Sequence, residues 1–188
     1  MSDKPVIVDR RVVARSRLFA IEEIDLRFAG GAEARFERLA TTDRGIVMVA
    51  PLLDADTVIL VREYAAGTDR YELTLPKGLV DPGESVLAAA DRELREEAGY
   101  GAGRCEYLGT LTVAPGYSGQ TTDTVIARDL FAASLPGDEP EPLTVVHGSL
   151  ARLEELIARE DLTEARTIAT LYRVRERLAR ERDEHDRR

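Results

Sequence analysis

Residues 78–99 read GLVDPGESVLAAADRELREEAG and carry the clearest structural signal in the chain. The first part, with its proline and glycines, is typical of a loop. From Ser85 onward, apolar residues recur at helical spacing, and serine is a side chain that caps helix N-termini. Gly99 stands where a left-handed residue commonly ends a helix. We therefore predict a loop followed by a helix over residues 85–98.

Three carboxylates fall on one side of this helix. At about 100° per residue, Glu93, Glu96 and Glu97 lie within an arc of about 100°. Glu93 and Glu97 are an i,i+4 pair of like charges, which destabilises an isolated helix by about 0.2–0.5 kcal/mol unless a cation lies between them. Carboxylate oxygens are the ligands that Mg²⁺ selects. The alternative is a solvated charged face in which Arg92 neutralises Glu96.

Most of the remaining chain alternates short apolar runs with turn residues, which is typical of β-strands. A proline- and glycine-containing segment at residues 137–142 indicates a loop. Helical spacing returns near the C-terminus, at residues 149–159 and 163–182. We predict strands at 6–8, 18–28, 33–39, 45–53, 57–64, 71–75, 104–113, 122–130 and 145–146.

Composition limits the ligands and partners of the protein. One cysteine, Cys105, excludes multi-cysteine zinc and iron–sulfur sites, and two histidines offer little imidazole, so a metal would be held mainly by oxygen. The net charge of −9 argues against binding of a nucleic-acid duplex, which requires a basic surface. No apolar run approaches the roughly 18 residues of a membrane span, and no leader follows Met1. We therefore expect a cytoplasmic protein that binds no membrane.

The length of 188 residues, 44% of them hydrophobic, suits one globular unit. Within it we distinguish an N-terminal β-rich region at residues 1–44 from a main domain at residues 45–188. The sequence has no internal repeat, and no low-complexity linker or break in composition lies between the two regions, so a second independent domain is not expected.

The spacing of Gly78, Glu84, Arg92-Glu93, Glu96-Glu97 and Gly99 resembles the Nudix box, the signature of the Nudix hydrolases. Tyr100 departs from the pattern, because the family usually has an aliphatic residue there. Further segments are similar to the NudE-type branch, whose members hydrolyse ADP-linked compounds. These segments are residues 13–19, 62–64, 77–79, 81–85 and 137–142.

The resemblance implies an α/β fold, the Nudix α/β/α sandwich around a mixed β-sheet, here with an N-terminal β-hairpin region. It implies a Mg²⁺-dependent pyrophosphohydrolase, with Mn²⁺ as a substitute cation. The substrate would be a small nucleotide such as ADP-ribose, NADH or a diadenosine polyphosphate, with AMP as a product. Residues 6–39 are similar to the segment through which related enzymes form homodimers, and edge strands there can pair between subunits.

The resemblance also implies roles for residues of the box. Glu93 and Glu97 would be the principal Mg²⁺ ligands, Glu96 an additional ligand or a partner in catalysis, and Lys77 a ligand through its backbone carbonyl. The supporting residues would be Gly78 and an ion pair between Glu84 and Arg92. Such supporting contacts keep metal ligands oriented.

Downstream of the box, the loop at residues 137–142 offers two candidates for the general base. We favour Glu139 over Glu141; otherwise both are ordinary surface acids in a turn. Arg62 is a candidate phosphate contact or else a surface arginine. In the family, a proline beyond the box accompanies a preference for ADP-ribose and a tyrosine a preference for dinucleoside polyphosphates. This chain has both, Pro115 and Tyr117, and Tyr117 is a candidate to stack on adenine unless the segment is simply a turn.

Two other functions fit the same pattern. One is a nucleotide-sensing Nudix domain that binds ADP-ribose without hydrolysing it, but the complete set of box carboxylates favours the enzyme. The other is hydrolysis of oxidised nucleoside triphosphates, against which the similarity to the NudE-type branch argues. Release of AMP, with and without Mg²⁺, distinguishes an enzyme from a sensor.

Overall fold

The computed structural model describes residues 3–40 and 44–187. Its elements follow one another from β1 to α3. The strands are β1 (Val6–Arg15), β2 (Ala20–Arg27), β3 (Glu33–Leu39), β4 (Ile46–Pro51), β5 (Thr57–Ala65), β6 (Arg70–Thr74), β7 (Lys77–Leu79), β8 (Tyr100–Thr112), β9 (Thr121–Ala132) and β10 (Thr144–Ser149). The helices are α1 (Val86–Ala98), α2 (Leu153–Ile157) and α3 (Ala165–Asp186).

The chain divides into two compact units. The first comprises residues 1–43 and 112–121, and the second comprises residues 44–111 and 122–188. The boundary expected between residues 44 and 45 falls beside residues 41–43, which lie outside the described residues. It stays a prediction. The sequence pattern did not indicate that residues 112–121 belong with the N-terminal region.

The first unit contains an antiparallel sheet in the order β1-β2-β3. The register of β2 against β3 is regular, from Ile21 opposite Leu39 to Arg27 opposite Glu33. The register of β1 against β2 shifts at two points, between Ile7 and Asp9 and again farther along the strand. These strands form the hairpin region that the sequence predicts.

The second unit contains a mixed arrangement of strands. In one sheet, ordered β7-β4-β9-β8, β4 runs parallel to β9 and antiparallel to β7. The other sheet, ordered β10-β5-β6, is antiparallel. Among the described residues, no helix is both long and apolar enough to cross a bilayer.

The core explains why strand β4 is apolar along its whole length. Along β4, Val47 and Val49 pack in a cluster with Leu94 of helix α1, whereas Met48 packs in a second cluster with Leu171 of helix α3. Because successive side chains of a strand point to opposite faces, β4 is covered by a helix on each side. The predicted α/β/α sandwich around a mixed sheet is therefore confirmed.

Helix α1 has the predicted ends. The Ser85 hydroxyl accepts a hydrogen bond of 3.2 Å from the Ala88 amide, and Gly99 adopts a left-handed conformation with φ of 77°. Such a φ favours glycine, because it is strained for residues with a Cβ atom. These caps fix where the helix starts after the loop and where β8 begins.

Several details of the sequence prediction are wrong. Strand β1, predicted over residues 6–8, extends from Val6 to Arg15 because it pairs with β2 along this length, and β8 begins at Tyr100 instead of residue 104. The helix predicted over residues 149–159 is only the five-residue α2, because Ser149 still belongs to β10, where it pairs with Thr57. The Ser149 hydroxyl donates a hydrogen bond of 2.7 Å to Asp56. Strand β7 was not predicted, since three residues are too few to show an alternating pattern.

Candidate active site

A cleft of about 730 Å³ opens between helix α1 and the segment that precedes β10. Strand β7 and Asp81 of the loop before the helix also line it. The helix and the downstream loop contribute six carboxylate side chains to the lining: Glu93, Glu96, Glu97, Asp138, Glu139 and Glu141. The structure thus brings together the box carboxylates and both candidate bases.

Gly78 lets strand β7 approach helix α1 closely. A Cβ atom at this position would overlap the carboxylate of Glu93, which is 8% exposed. Any side chain at residue 78 would therefore push either the strand or the carboxylate out of place. This close approach explains physically why glycine begins the signature.

Arg92 connects the loop to the helix. Its Nε and Nη2 donate to the Glu84 carboxylate at 3.1 and 3.0 Å, and Nη2 also donates to the Leu79 carbonyl at 2.8 Å. Its Nη1 donates to Glu93 at 2.7 Å and to Glu96 at 3.0 Å. The bonds to Glu84 lower the pKa of that carboxyl and raise the pKa of Arg92.

Glu93 keeps a raised pKa despite this arginine. Burial is the largest cause, and the neighbouring charges of Glu96 and Asp138 add to it, whereas Arg92 opposes the shift. A single guanidinium shared by three carboxylates does not neutralise all of them. The edge of the helix therefore retains negative charge that a further cation would neutralise.

Glu97 connects helix α1 to strand β7. Its Oε2 accepts a hydrogen bond of 3.1 Å from the Lys77 backbone amide. Burial raises the pKa of its carboxyl to about 8, and the charges of Glu63 and Glu93 contribute, while Lys77 opposes them. Lys77 thus contacts Glu97 through its N–H, and the role predicted for its carbonyl stays a prediction.

Glu63 is a site residue that sequence reasoning missed. One oxygen from each of Glu63, Glu97 and Glu139 lies within 4.8 Å of the other two. The Lys77 ammonium forms an ion pair with Glu63. Strand alternation indicates only that Glu63 shares a face of β5 with Ile59 and Val61. That this face packs in the helix α1 cluster is known from the fold.

The donor set of this site consists of oxygen atoms. Hard divalent cations such as Mg²⁺ prefer carboxylate ligands and do not need imidazole or thiolate. The cluster of Glu63, Glu97 and Glu139, with Glu93 and Glu96 beside it on the same helix edge, fits such a cation.

The two loop acids have different partners. Glu139 joins Glu63 and Glu97, and burial together with the charges of Glu63 and Asp138 raises the pKa of its carboxyl. Glu141 instead accepts a hydrogen bond of 2.7 Å from the Tyr71 hydroxyl. The loop therefore directs Glu139 towards the acidic cluster and Glu141 towards strand β6.

The predicted substrate contacts are not among the described residues that line the cleft. The Arg62 guanidinium lies over the Tyr71 ring, 5.6 Å from its centroid, and Arg62 does not line the cleft. Pro115 and Tyr117 belong to the other compact unit, where the Tyr117 carbonyl accepts a hydrogen bond of 2.8 Å from the Leu39 amide. The Tyr117 residue is 60% exposed. Substrate roles for these three residues stay predictions.

Family models match most of the chain. The model of the NUDIX domain matches residues 43–176. The model of the NudE-type Nudix hydrolase N-terminal domain matches residues 5–38. The two matches together include both the signature helix and the hairpin region.

Similar proteins include ADP compounds hydrolase NudE of Escherichia coli (strain K12), which is 49% identical over 93% of this chain and 94% of that protein. An ADP-ribose pyrophosphatase of Bacillus subtilis (strain 168) is 23% identical over 85% of this chain and 89% of that protein. A crystal structure of an ADP compounds hydrolase superposes with a TM-score of 0.90 at 46% identity. It covers 96% of this chain and 97% of that one.

The buried carboxyl of Glu97 makes stability depend on pH. Its pKa rises from 4.5 to about 8 on folding, so between these values the folded state binds more protons than the unfolded state. The contribution of Glu97 to the free energy of unfolding should therefore fall as pH rises through this range, by at most about 1.4 kcal/mol per pH unit. Urea unfolding in the presence of EDTA measures this slope. The Glu97→Gln variant should have a smaller slope, to which Glu93 and Glu139 still contribute because the pKa values of their carboxyls are raised as well. Equal slopes in the two proteins would contradict the assignment.

Proposed function

The chain belongs to the Nudix hydrolase family, and on that premise we propose that it is a Mg²⁺-dependent enzyme that cleaves the pyrophosphate of ADP-linked compounds. ADP-ribose, NADH and diadenosine polyphosphates are the candidate substrates, with AMP as one product. The names of the similar proteins, ADP compounds hydrolase and ADP-ribose pyrophosphatase, support this substrate class. They also argue against oxidised nucleoside triphosphates.

One observation carries the proposal. The cleft is lined by carboxylates on two opposite sides, from helix α1 and from the loop of residues 136–142. A pyrophosphate carries several negative charges, and these carboxylates would repel it. A divalent cation between protein and substrate reverses this electrostatic effect. An acidic site of this composition therefore supports a metal-dependent reaction on an anionic substrate.

The residues that would hold Mg²⁺ are Glu93, Glu97 and Glu96, with Glu63 and the Lys77 carbonyl as further candidates. When bound, Mg²⁺, or Mn²⁺ in its place, would neutralise phosphate oxygens and make water more acidic. Arg92 would keep the helix carboxylates in position through its bonds to Glu93 and Glu96.

Glu139 is the residue we assign as general base. It lies on the loop that faces helix α1, and one of its oxygens is within 4.8 Å of an oxygen of Glu97. A base in this position would accept the proton of the attacking water, and the resulting carboxylic acid would return that proton to solvent after the phosphoanhydride is cleaved. Glu141 is less suited, because the Tyr71 hydroxyl already donates to it.

A substrate panel tests the activity. We expect AMP release from ADP-ribose, NADH or diadenosine triphosphate with Mg²⁺ and none with EDTA, and reaction in ¹⁸O-labelled water identifies the phosphorus attacked. Glu97→Gln should lower turnover by about three orders of magnitude, because a bound metal ion stabilises the transition state by several kcal/mol. Glu160→Gln removes an exposed carboxylate outside the cleft and serves as the matched control. Binding of intact ADP-ribose without hydrolysis would instead indicate a sensor.

Two amide substitutions distinguish the candidate bases. Glu139→Gln should lower kcat by about 10²–10⁴, the usual contribution of a general base. Glu141→Gln should lower kcat less than tenfold, because an amide oxygen still accepts the hydrogen bond from Tyr71. Steady-state kinetics at saturating Mg²⁺ compare the two variants. The opposite order, or near-normal rates in both, would reject Glu139 as the base.

We also infer that the protein is a homodimer that associates through its first unit. One face of the β2–β3 pair carries cross-strand ion pairs, such as Arg35 with Asp25 at 2.7 Å and Arg27 with Glu33 at 2.8 Å. The opposite face carries Ile24 opposite Phe36 and Leu26 opposite Ala34, together with an ion pair between Glu22 and Arg38. Phe36 is 42% exposed, and an exposed aromatic beside apolar neighbours favours burial against a second copy.

Light scattering after size exclusion tests this association. The wild-type protein should have twice the chain mass of 20.8 kDa. Phe36→Glu should elute as a monomer, because it places a charge beside Ile24 and Leu26. Glu37→Lys, on the face with the ion pairs, should remain a dimer. A dimer in both variants would contradict an interface at this face.

The expected absence of nucleic-acid and membrane partners, and the cytoplasmic location, stay predictions.

A further inference from the structure

We propose that Tyr71 is a positioning residue that holds the loop of residues 136–142, and with it Glu139, at the catalytic cleft. The Tyr71 hydroxyl donates a hydrogen bond of 2.7 Å to Oε1 of Glu141. Within the part of the chain that the structure describes, this is the only side-chain hydrogen bond that the loop forms. The proposal rests on the proposed function, because it concerns the placement of the general base.

The loop has few other means of staying in place. The Leu135 amide bonds to the Arg95 carbonyl at 3.1 Å just before the loop, and β10 begins at Thr144 just after it. Between these anchors, three prolines lack an amide donor: Pro136, Pro140 and Pro142. The residues of the loop are exposed along its whole length. A single side-chain contact therefore has a large influence on its position.

Electrostatics favour an open loop. Glu139 lies beside Glu63 and Glu97, and carboxylates this close repel one another. The Lys77 ammonium offsets part of this repulsion but is itself paired with Glu63. Without an attachment, the free energy of the loop falls when Glu139 moves away from these two carboxylates. The bond to Glu141, two residues away, opposes that movement.

The Tyr71 side chain is held firmly enough to serve as this attachment. It lies on β6 opposite Tyr64 of β5, and the two rings make an edge contact with centroids 5.7 Å apart. The Arg62 guanidinium covers the same ring at 5.6 Å. These contacts restrict the ring and aim its hydroxyl at the loop. Arg62 therefore acts on the loop through Tyr71.

The chain provides a matched control. Tyr64 is the packing partner of Tyr71, and its hydroxyl donates a hydrogen bond of 2.5 Å to Asp69, which is not part of the loop. Tyr64→Phe and Tyr71→Phe each remove one exposed hydroxyl and keep the aromatic ring. Only Tyr71→Phe removes the hydrogen bond to the loop.

Steady-state kinetics with ADP-ribose provide the first test. Tyr71→Phe should lower kcat about three- to tenfold with KM within about twofold, the effect of losing one hydrogen bond that positions the base. Tyr64→Phe should match the wild type. The double variant Tyr71→Phe/Glu141→Ala should be no slower than Glu141→Ala, because both changes remove one contact. Equal rates for Tyr71→Phe and Tyr64→Phe, or multiplied losses in the double variant, would overturn the proposal.

Proteolysis provides a second test that does not depend on activity. Endoproteinase Asp-N cleaves on the amino side of aspartate, and Asp138 lies in the loop. Cleavage at Asp138 should be at least about threefold faster in Tyr71→Phe than in Tyr64→Phe, as expected for loss of one hydrogen bond. Equal cleavage rates would reject the attachment even if Glu139→Gln abolishes hydrolysis. A third outcome is faster cleavage of Tyr71→Phe than of Tyr64→Phe together with full activity of Glu139→Gln. That outcome would support the attachment of the loop by Tyr71 and reject Glu139 as the general base.

Discussion

Repulsion among carboxylates at one edge of helix α1 is the constraint on which the site depends. Glu93 is nearly buried and Glu97 has a carboxyl pKa of about 8, so the protein cannot disperse their charge into solvent. Arg92 offsets this charge through Glu93 and Glu96, and Lys77 acts in the same way near Glu97. With Arg44, which pairs with Asp81, three basic side chains line the cleft and balance only part of its negative charge. The remainder is what a divalent cation would neutralise.

The fold around this edge serves to keep it assembled. Gly78 allows strand β7 to lie next to Glu93. Arg92 connects helix α1 to the loop before it through hydrogen bonds to Glu84. Next to these carboxylates, Leu94 packs into the core between α1 and the sheet. The helix therefore presents one side to the hydrophobic core and an adjacent side to the cleft. Because residues three or four positions apart lie on the same side of a helix, the apolar and the acidic residues form separate stripes.

The parts of the site that sequence reasoning identified are local in sequence. Glu93, Glu96 and Glu97 share one helix, so helical periodicity alone places them together. Glu63 was missed because its position depends on how β5 packs against helix α1, and the bond between Tyr71 and Glu141 joins residues 70 positions apart. The mixed sandwich could be predicted from the resemblance carried by the box, whereas the length of α2 could not, because Ser149 pairs in β10 instead of starting a helix. Contacts that depend on register and loop path are not contained in any local pattern.

Direct measurement of metal binding tests the central claim, since it asks what the carboxylates hold without requiring turnover. Mn²⁺ titrations followed by electron paramagnetic resonance report the free aqueous ion, and they can be made with wild-type protein and with a Glu93→Gln/Glu97→Gln variant in the presence of a non-hydrolysable ADP-ribose analogue. We expect the wild type to suppress the signal of free Mn²⁺ and the variant to leave it at the level of a protein-free solution. Equal suppression by both proteins, with both folded, would contradict the account.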